Sequence, residues 1–479
     1  MQSFTLLTDL YQLTMAYGYW RLNRHEQPSV FHLIYRKNPF QGNFALSCGL
    51  ANVIDYLKNF RFSDEDLAYL KTLTNPLGEP LWDEAFLSYL KNLRFSCDLA
   101  AIPEGTVVSP HEPLLRLQGP LLQCQLLESP LLNIINFQTL IATKAARVCQ
   151  AAQGDAVIEF GMRRAQGPDG ALSASRAAYV GGCVATSNAL AGKQYDLPVR
   201  GTHAHSWVTA FPDELAAFEA YAKVMPHNVI LLVDTYDSLK GVQHAITIAK
   251  KLREHHSKLY GIRLDSGNMA AISIQARAML DEAGLTDTVI MASNSLDEYA
   301  IRRFKAEGAK ISVWGVGTHL VTASDCSALD GVYKLSSLQN EKGEWEYKLK
   351  ISDDPIKTSN PGIHQVRRFY SQGRALIDVL YDLALGIADY PQAVLFDEAQ
   401  TPVEVQAYDS FVDLLIPIFR QGHLVYQAES IHTLREQASK NVADFLQQRG
   451  ENSYPVAIEK NLYEKKRELV IEARARNKD

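Results

Sequence analysis

The sequence predicts an α/β fold assembled from parallel βαβ units, with strand-rich segments on either side of them. Three observations carry this expectation. Short apolar runs of β-type composition recur at residues 156–160, 229–233, 259–264, 289–292 and 311–314. Helix-type stretches such as 212–224 and 241–255 lie between most of these runs, and alternation of this kind argues for a parallel sheet. Each run is followed by charged, polar or glycine residues, as in a barrel whose site lies on the rim of C-terminal strand ends. An open doubly wound sheet is the competing architecture.

Taken in order, Leu10, Leu13, Tyr17 and Trp20 have helical spacing over 8–21, with Thr8 and Asp9 as candidate caps. F-H-L-I-Y-R-K-N-P-F at 31–40 reads as an extended run that Pro39 stops. Residues 52–91 read as helical with breaks around 75–80. From 94 to 122, short apolar pieces are punctuated by Pro103, Gly105, Pro110, Pro113 and Gly119, the pattern of a small all-β unit. A long helix is expected over 130–153, followed by the βαβ region. Past Thr322 the strand-like pieces G-V-Y-K-L and W-E-Y-K-L-K-I return, and the chain ends in a charged helical tail. The expected domains are 1–125, a helix plus a β-rich part; 126–322, the catalytic α/β part; and 323–479, a β-rich return with a helical extension.

A chain of 479 residues is long for one core, so two or three domains are the prior. The formal charge of −6 is small and dispersed, which argues against a nucleic-acid coat or a polybasic membrane patch. The 6 cysteines form no C-x-x-C pair, so neither a zinc knuckle nor a redox dithiol is signalled, and free thiols suit a reducing compartment. With no basic-then-apolar start and no run of about 18 apolar residues, cytoplasmic residence is expected.

The polar strand ends suggest one shared site. G-T-H-A-H-S at 201–206 brings two imidazoles beside small hydroxyl residues, able to accept and return a proton or a phosphoryl group near neutral pH. In R-L-D-S-G, Arg263 and Asp265 fall on the same face of a strand, a fork-shaped cation beside a carboxylate that can orient a hydroxyl or metal-bound water; a buried structural ion pair is the equal alternative. Gly315 and Gly317, before Thr318 and His319, would let backbone N–H groups approach a phosphate, although a tight turn needs the same glycines. Asp234 and Asp237 in D-T-Y-D read as rim residues near magnesium or ribose hydroxyls, or as solvated strand ends. Phe160 can stack on a flat heterocycle while Arg163 or Arg164 meets a carboxylate. Tyr11, like Phe160, is by itself more often a packing residue.

Together these segments resemble the nicotinate phosphoribosyltransferase family. T-D-L-Y-Q-L-T-M at 8–15, Y-R-K-N-P-F at 35–40, E-F-G-M-R-R-A-Q-G-P-D-G at 159–170, S-R-A-A-Y-V-G-G at 175–182, A-T-S-N at 185–188, G-T-H-A-H-S, R-L-D-S-G and W-G-V-G-T-H-L-V-T look like that family's motifs in its order. The resemblance implies an irregular TIM-like α/β barrel with a β-rich second domain built from N-terminal and post-barrel segments, part of 323–420 completing the N-terminal one. It also implies a homodimer with sites at the subunit boundary. The implied reaction is ATP-coupled joining of nicotinate to 5-phosphoribosyl 1-diphosphate, giving nicotinate mononucleotide and diphosphate, the first step of NAD salvage from nicotinate. His205 would be the phosphorylated histidine. Tyr11 and Phe160 would sandwich the pyridine ring, Arg263 would meet its carboxylate, and Arg163 and Thr202 would line the pocket. Asp265 would face the ribose, Gly317 and Thr318 the phosphate, and Tyr11 and Arg36 would reach the neighbouring subunit's site. Mg2+ would accompany ATP and phosphoribosyl diphosphate. The rivals are a nicotinamide-preferring relative, disfavoured by the Arg163–Arg164 pair, a quinolinate phosphoribosyltransferase, and a non-catalytic pyridine-nucleotide-binding barrel.

Overall fold

The structure is a computed structural model and describes residues 4–352, 357–450 and 452–476. The chain forms two compact units: Met1–Leu140, Ala328–Ser430 and Asn441–Asp479 make one, Ile141–Ser327 and Ile431–Lys440 the other.

The second unit is built on six parallel strands, in spatial order Ala185–Thr186, Ala156–Glu159, Val313–Val316, Val289–Ser293, Leu259–Leu264 and Val229–Leu232. Read as a ring, this is chain order with the last strand beside the first, the arrangement of a barrel. Strands covered on both faces read as continuous apolar runs, and V-I-L-L and L-Y-G-I-R-L do so; Leu231, Leu232, Ile262 and Leu264 are fully buried. Helices wrap the outside. Ser238–Glu254 turns Val242, Ala245, Ile248, Ala249 and Leu252 inward at helical spacing, and Asp237 caps it by accepting the Lys240 N–H at 2.8 Å.

The barrel closes irregularly. Between Ala185–Thr186 and Val229–Leu232 lies the segment 197–203, whose first part, 197–200, the sequence reads as a short extended run. It makes one parallel bridge, Thr186 to Val199. Thr186 N–H donates to Pro198 O at 3.0 Å, and Arg200 N–H to Thr186 O at 3.0 Å. On the other side Leu232 N–H donates to the Nε2 of His203 at 3.2 Å. The last stave is thus a short irregular stretch held by a single bridge, and it leads directly into His205.

In the first unit, N-terminal and post-barrel segments share a sheet. Its order is Trp345–Tyr347, Val332–Gln339, Pro28–Ile34, Pro113–Pro120, Asp98–Ala101, Ile416–Arg420 and His423–Leu424. A second, mixed sheet runs Pro402–Glu404, Gln392–Leu395, Val456–Glu459, Arg374–Asp382, His364–Ser371 and Ser410–Asp413. Helices Leu10–Arg21, Leu50–Lys58, Asp64–Lys71 and Glu84–Asn92 belong to this unit.

Its interior holds a polar network. Arg368 forks onto the fully buried Asp378 at 2.8 and 2.6 Å, and also donates to Val107 O at 2.9 Å. Tyr454 OH donates to Asp378 Oδ1 at 2.9 Å. Burial, with the Asp378 charge beside it, pushes the Glu112 carboxyl well above the usual range. Nearby, His32 and His364 stack with ring centroids 4.0 Å apart, and the His32 Nε2 accepts the His364 N–H at 3.1 Å. Cys97 and Cys124, distant in sequence, bring their thiols to 3.9 Å. Among the described residues no helix is long and apolar enough to cross a membrane.

Candidate active site

The C-terminal strand ends of the barrel bring together most of the residues singled out in the sequence. Arg263, at the end of Leu259–Leu264, donates through Nη1 to Thr202 Oγ1 at 2.5 Å and through Nη2 to His203 O at 3.0 Å. Its Nε is buried without a partner. Burial lowers the Arg263 pKa, opposed by Asp265 and Asp234, while the Arg163 charge lowers it further. The Arg163 charge is thus felt at Arg263, and a guanidinium with an unbonded Nε is suited to a carboxylate.

The two histidines of G-T-H-A-H-S have opposite fates. His203 is buried; its Nε2 accepts the Leu232 N–H, so Nδ1 carries the proton and faces Ala204 O at 3.3 Å. Burial lowers its pKa to about 4, which keeps it neutral. His205 opens the short helix His205–Thr209 with its side chain 43 % exposed. Its Nδ1 lies 3.1 Å from Thr235 Oγ1 and its Nε2 lies 3.9 Å from Asp265 Oδ2. Of the pair, His205 is the one a reagent can reach.

Asp265 is fixed from two sides. Ser293 Oγ donates to its Oδ1 at 2.5 Å, and its own N–H donates to Asp234 Oδ2 at 2.9 Å. Ser266 Oγ adds a bond to the same Asp234 oxygen at 2.6 Å, while Asp234 Oδ1 is buried with no partner. The acids of D-T-Y-D therefore divide. Asp234 turns inward and braces the R-L-D-S-G turn, whereas Asp237 is a helix cap rather than a rim ligand.

Phe160 follows Ala156–Glu159 and is half-buried against Ile158, Ala185 and Met291. Its ring lies over Gly315: a Cβ there would sit 2.6 Å from the ring, so this glycine makes room for Phe160, and the strand Val313–Val316 runs through it without turning. Gly317 approaches the Phe160 carbonyl and opens the short helix Thr318–Val321, with Thr318 exposed. Glu159, fully buried, holds the Phe160 turn by accepting from Gly161 N–H, from Ser175 Oγ at 2.8 Å and from Thr186 Oγ1 at 2.6 Å. Arg163 lies exposed on the 3-10 turn Met162–Arg164.

Tyr11 and Arg36 lie in the first unit. Tyr11 is 50 % exposed on a helix whose Leu7, Leu10 and Met15 neighbours are also exposed. Arg36 acts on groups nearby: burial first, then Lys466 and Arg36, lowers the His111 pKa to about 4, and burial first, opposed by Glu128 and aided by Arg36 and Lys350, lowers that of Lys334. Sequence reasoning does not single out Thr235 or Ser293. The only signal for either is a hydroxyl at or just past a strand end.

The chain is similar to known proteins over nearly its whole length. Family models for the N-terminal domain, the family core and the C-terminal domain of nicotinate phosphoribosyltransferase match residues 6–136, 156–374 and 363–466. A nicotinate phosphoribosyltransferase of Bacillus subtilis is 40 % identical, covering 99 % of this chain and 96 % of its own. One from Dictyostelium discoideum is 37 % identical over 96 % of this chain and 87 % of its own. The crystal structure of human nicotinic acid phosphoribosyltransferase superposes with a TM-score of 0.84 at 32 % identity, covering 96 % of this chain and 99 % of that one. With the barrel, its rim and these matches over nearly its whole length, the chain belongs to the nicotinate phosphoribosyltransferase family.

Proposed function

We propose that this protein is an enzyme that joins nicotinate to 5-phosphoribosyl 1-diphosphate, releasing nicotinate mononucleotide and diphosphate, with ATP hydrolysis coupled through a phosphohistidine at His205. The observation that carries the reading is the convergence of Arg263, Asp265 and the half-exposed His205 on one rim. The reaction would be the first step of NAD salvage from nicotinate.

The chemistry asks chiefly for alignment. The pyridine nitrogen attacks the anomeric carbon as diphosphate departs, positive charge develops on the sugar, and little proton transfer is needed. Phe160 supplies a face for the pyridine ring, and Arg263 with Arg163 meets its carboxylate, a charge that nicotinamide lacks. Thr202 lines the same pocket, bonded to Arg263. Asp265, held by Ser293 and Asp234, faces the ribose and the positive charge of the transition state. Gly317 and Thr318 present a helix start to phosphate.

Magnesium would accompany the diphosphate and ATP, neutralising charge on the leaving group. The donor set fits: Asp234 Oδ1 is a buried carboxylate oxygen without a partner, and Asp265 stands beside it. No group of three His, Cys, Asp or Glu side chains able to hold a metal occurs among the described residues, so phosphate oxygens would supply most ligands.

We assign Tyr11 and Arg36 to the site of a second copy in a homodimer. The exposed Phe4, Leu7, Leu10, Tyr11 and Met15 give that interface an apolar face, and Arg36 brings a cation toward phosphate. The free thiols suit the cytoplasm.

The test incubates the protein with γ-labelled ATP and counts acid-labile phosphate, then measures ADP formed per nucleotide product with nicotinate and with nicotinamide. Label on wild type but not on His205→Ala, and a clear preference for nicotinate, are expected. Equal label on both proteins removes the assigned role of His205; faster turnover of the amide removes the substrate assignment; nucleotide binding without turnover removes the enzyme.

A further inference from the structure

The imidazole of His205 has two nitrogens in different surroundings, and the difference decides which one reacts. Nε2 faces the Asp265 carboxylate at 3.9 Å, and Nδ1 lies 3.1 Å from Thr235 Oγ1. At that distance the carboxylate acts on the ring by charge rather than by a hydrogen bond, and its charge favours the proton on Nε2. The lone pair then sits on Nδ1, and the Thr235 hydroxyl is its donor.

Thr235 is well placed to hold that position. The residue before it, Asp234, is tied to the N–H of Asp265 at 2.9 Å and to Ser266 Oγ at 2.6 Å. The residue two beyond, Asp237, caps the helix Ser238–Glu254. Its β-branched side chain has few rotamers to choose from. The end of Val229–Leu232 therefore braces both the imidazole, through Thr235, and the carboxylate opposite, through Asp234.

We propose that Thr235 takes part in phosphoryl transfer to His205, donating to Nδ1 before the step and to a phosphoryl oxygen after it. This rests on the phosphohistidine reading above. In the step, the Nδ1 lone pair forms the N–P bond to the γ-phosphorus of ATP, and the bond from that phosphorus to the bridging oxygen breaks. ADP leaves with the electron pair. No proton leaves the protein: Nε2 keeps its hydrogen, the ring becomes cationic, and Asp265 lies alongside to balance it. As Nδ1 loses its lone pair, the Thr235 hydroxyl swings its hydrogen onto a phosphoryl oxygen, a stronger, charge-assisted bond.

Two variants of the full-length protein test this. Thr235→Val keeps the shape and deletes the hydroxyl; Thr235→Ser keeps the hydroxyl. With γ-labelled ATP, phosphoenzyme formation in Thr235→Val is expected to fall about tenfold, the worth of one hydrogen bond to a charged group, with Thr235→Ser within about threefold of wild type. NMR of the phosphorylated wild type is expected to place the phosphoryl group on Nδ1. Phosphate on Nε2, or equal rates in wild type and Thr235→Val, overturns this inference and leaves phosphohistidine formation standing. Wild type that takes up no acid-labile phosphate overturns the phosphohistidine reading and this one with it. A merely structural threonine would lower thermal stability in Thr235→Val without changing the rate per folded molecule, and that result also counts against the proposal.

Discussion

The barrel rim and the buried network of the first unit use the same residue types to opposite ends. Around Arg368, the guanidinium and the Tyr454 hydroxyl both bond the fully buried Asp378 carboxylate. On the rim, Arg263 keeps Nε unbonded, Asp234 keeps one oxygen unbonded, and His205 and Asp265 stop 3.9 Å short of each other while still half open to solvent. Unspent bonding capacity beside a half-exposed imidazole at a strand end marks a place where something else can bind, whereas the unpartnered Glu112 Oε1 and His32 Nδ1 lie sealed inside the first unit.

The comparison breaks first where a buried charge is left alone. Asp378→Ala strands Arg368 in the interior and is expected to cost about 3–5 kcal/mol of stability, read from the urea midpoint, with substrate contacts untouched. A loss under 1 kcal/mol would show that water enters this network and that it resembles the rim.

Acid should act next. Burial lowers the pKa of His364 to about 4 and likewise that of His203 to about 4, against an unfolded value near 6.5. Below the unfolded value the unfolded chain binds protons that the folded one refuses. Stability is therefore fully present above about pH 6.5 and declines as pH falls toward 4, by up to about 3 kcal/mol per group. Denaturation midpoints across that window should show His364→Gln with a flatter acid slope; an unchanged slope contradicts the assignment.

The two rim histidines give the sharper contrast. His203→Ala deprives Leu232 N–H of its acceptor and is expected to cost about 1–3 kcal/mol. His205→Ala, by contrast, should leave stability within about 0.5 kcal/mol while ATP coupling disappears. Melting curves for the two variants side by side decide it, and a reversal of their order would undo the distinction between structural and reactive imidazole.

Much of the barrel was legible because its strands are covered on both faces. The run at 259–264 emerges as Leu259–Leu264, and 229–233 as Val229–Leu232. The run at 311–314 is displaced to Val313–Val316, since Gly315 reads as a turn but serves inside the strand to clear the Phe160 ring. That reason lies in a residue more than a hundred positions away and leaves no local trace. D-T-Y-D misleads for a similar cause. Two acids one turn apart look alike in a sequence, and only the helix that starts at Ser238 and the turn bearing Asp265 tell the cap from the brace. Between His203 and His205 the resemblance names His205, and the structure adds the physical difference: His203 is buried and bonded to Leu232. Thr235 stayed hidden because threonine at a strand end is ordinary, and its meaning comes from an imidazole thirty residues earlier.

A cylinder whose final stave is the stretch 197–203 has its most sparsely bridged seam beside the half-exposed His205. Its one strand-type bridge among the described residues is to Thr186, and side chains supply much of the rest of its hold: the His203 imidazole on Leu232 and the Arg263 fork on Thr202 and His203. A change at Arg263 would therefore reach the closure of the cylinder through the same two bonds that fix Thr202 and His203.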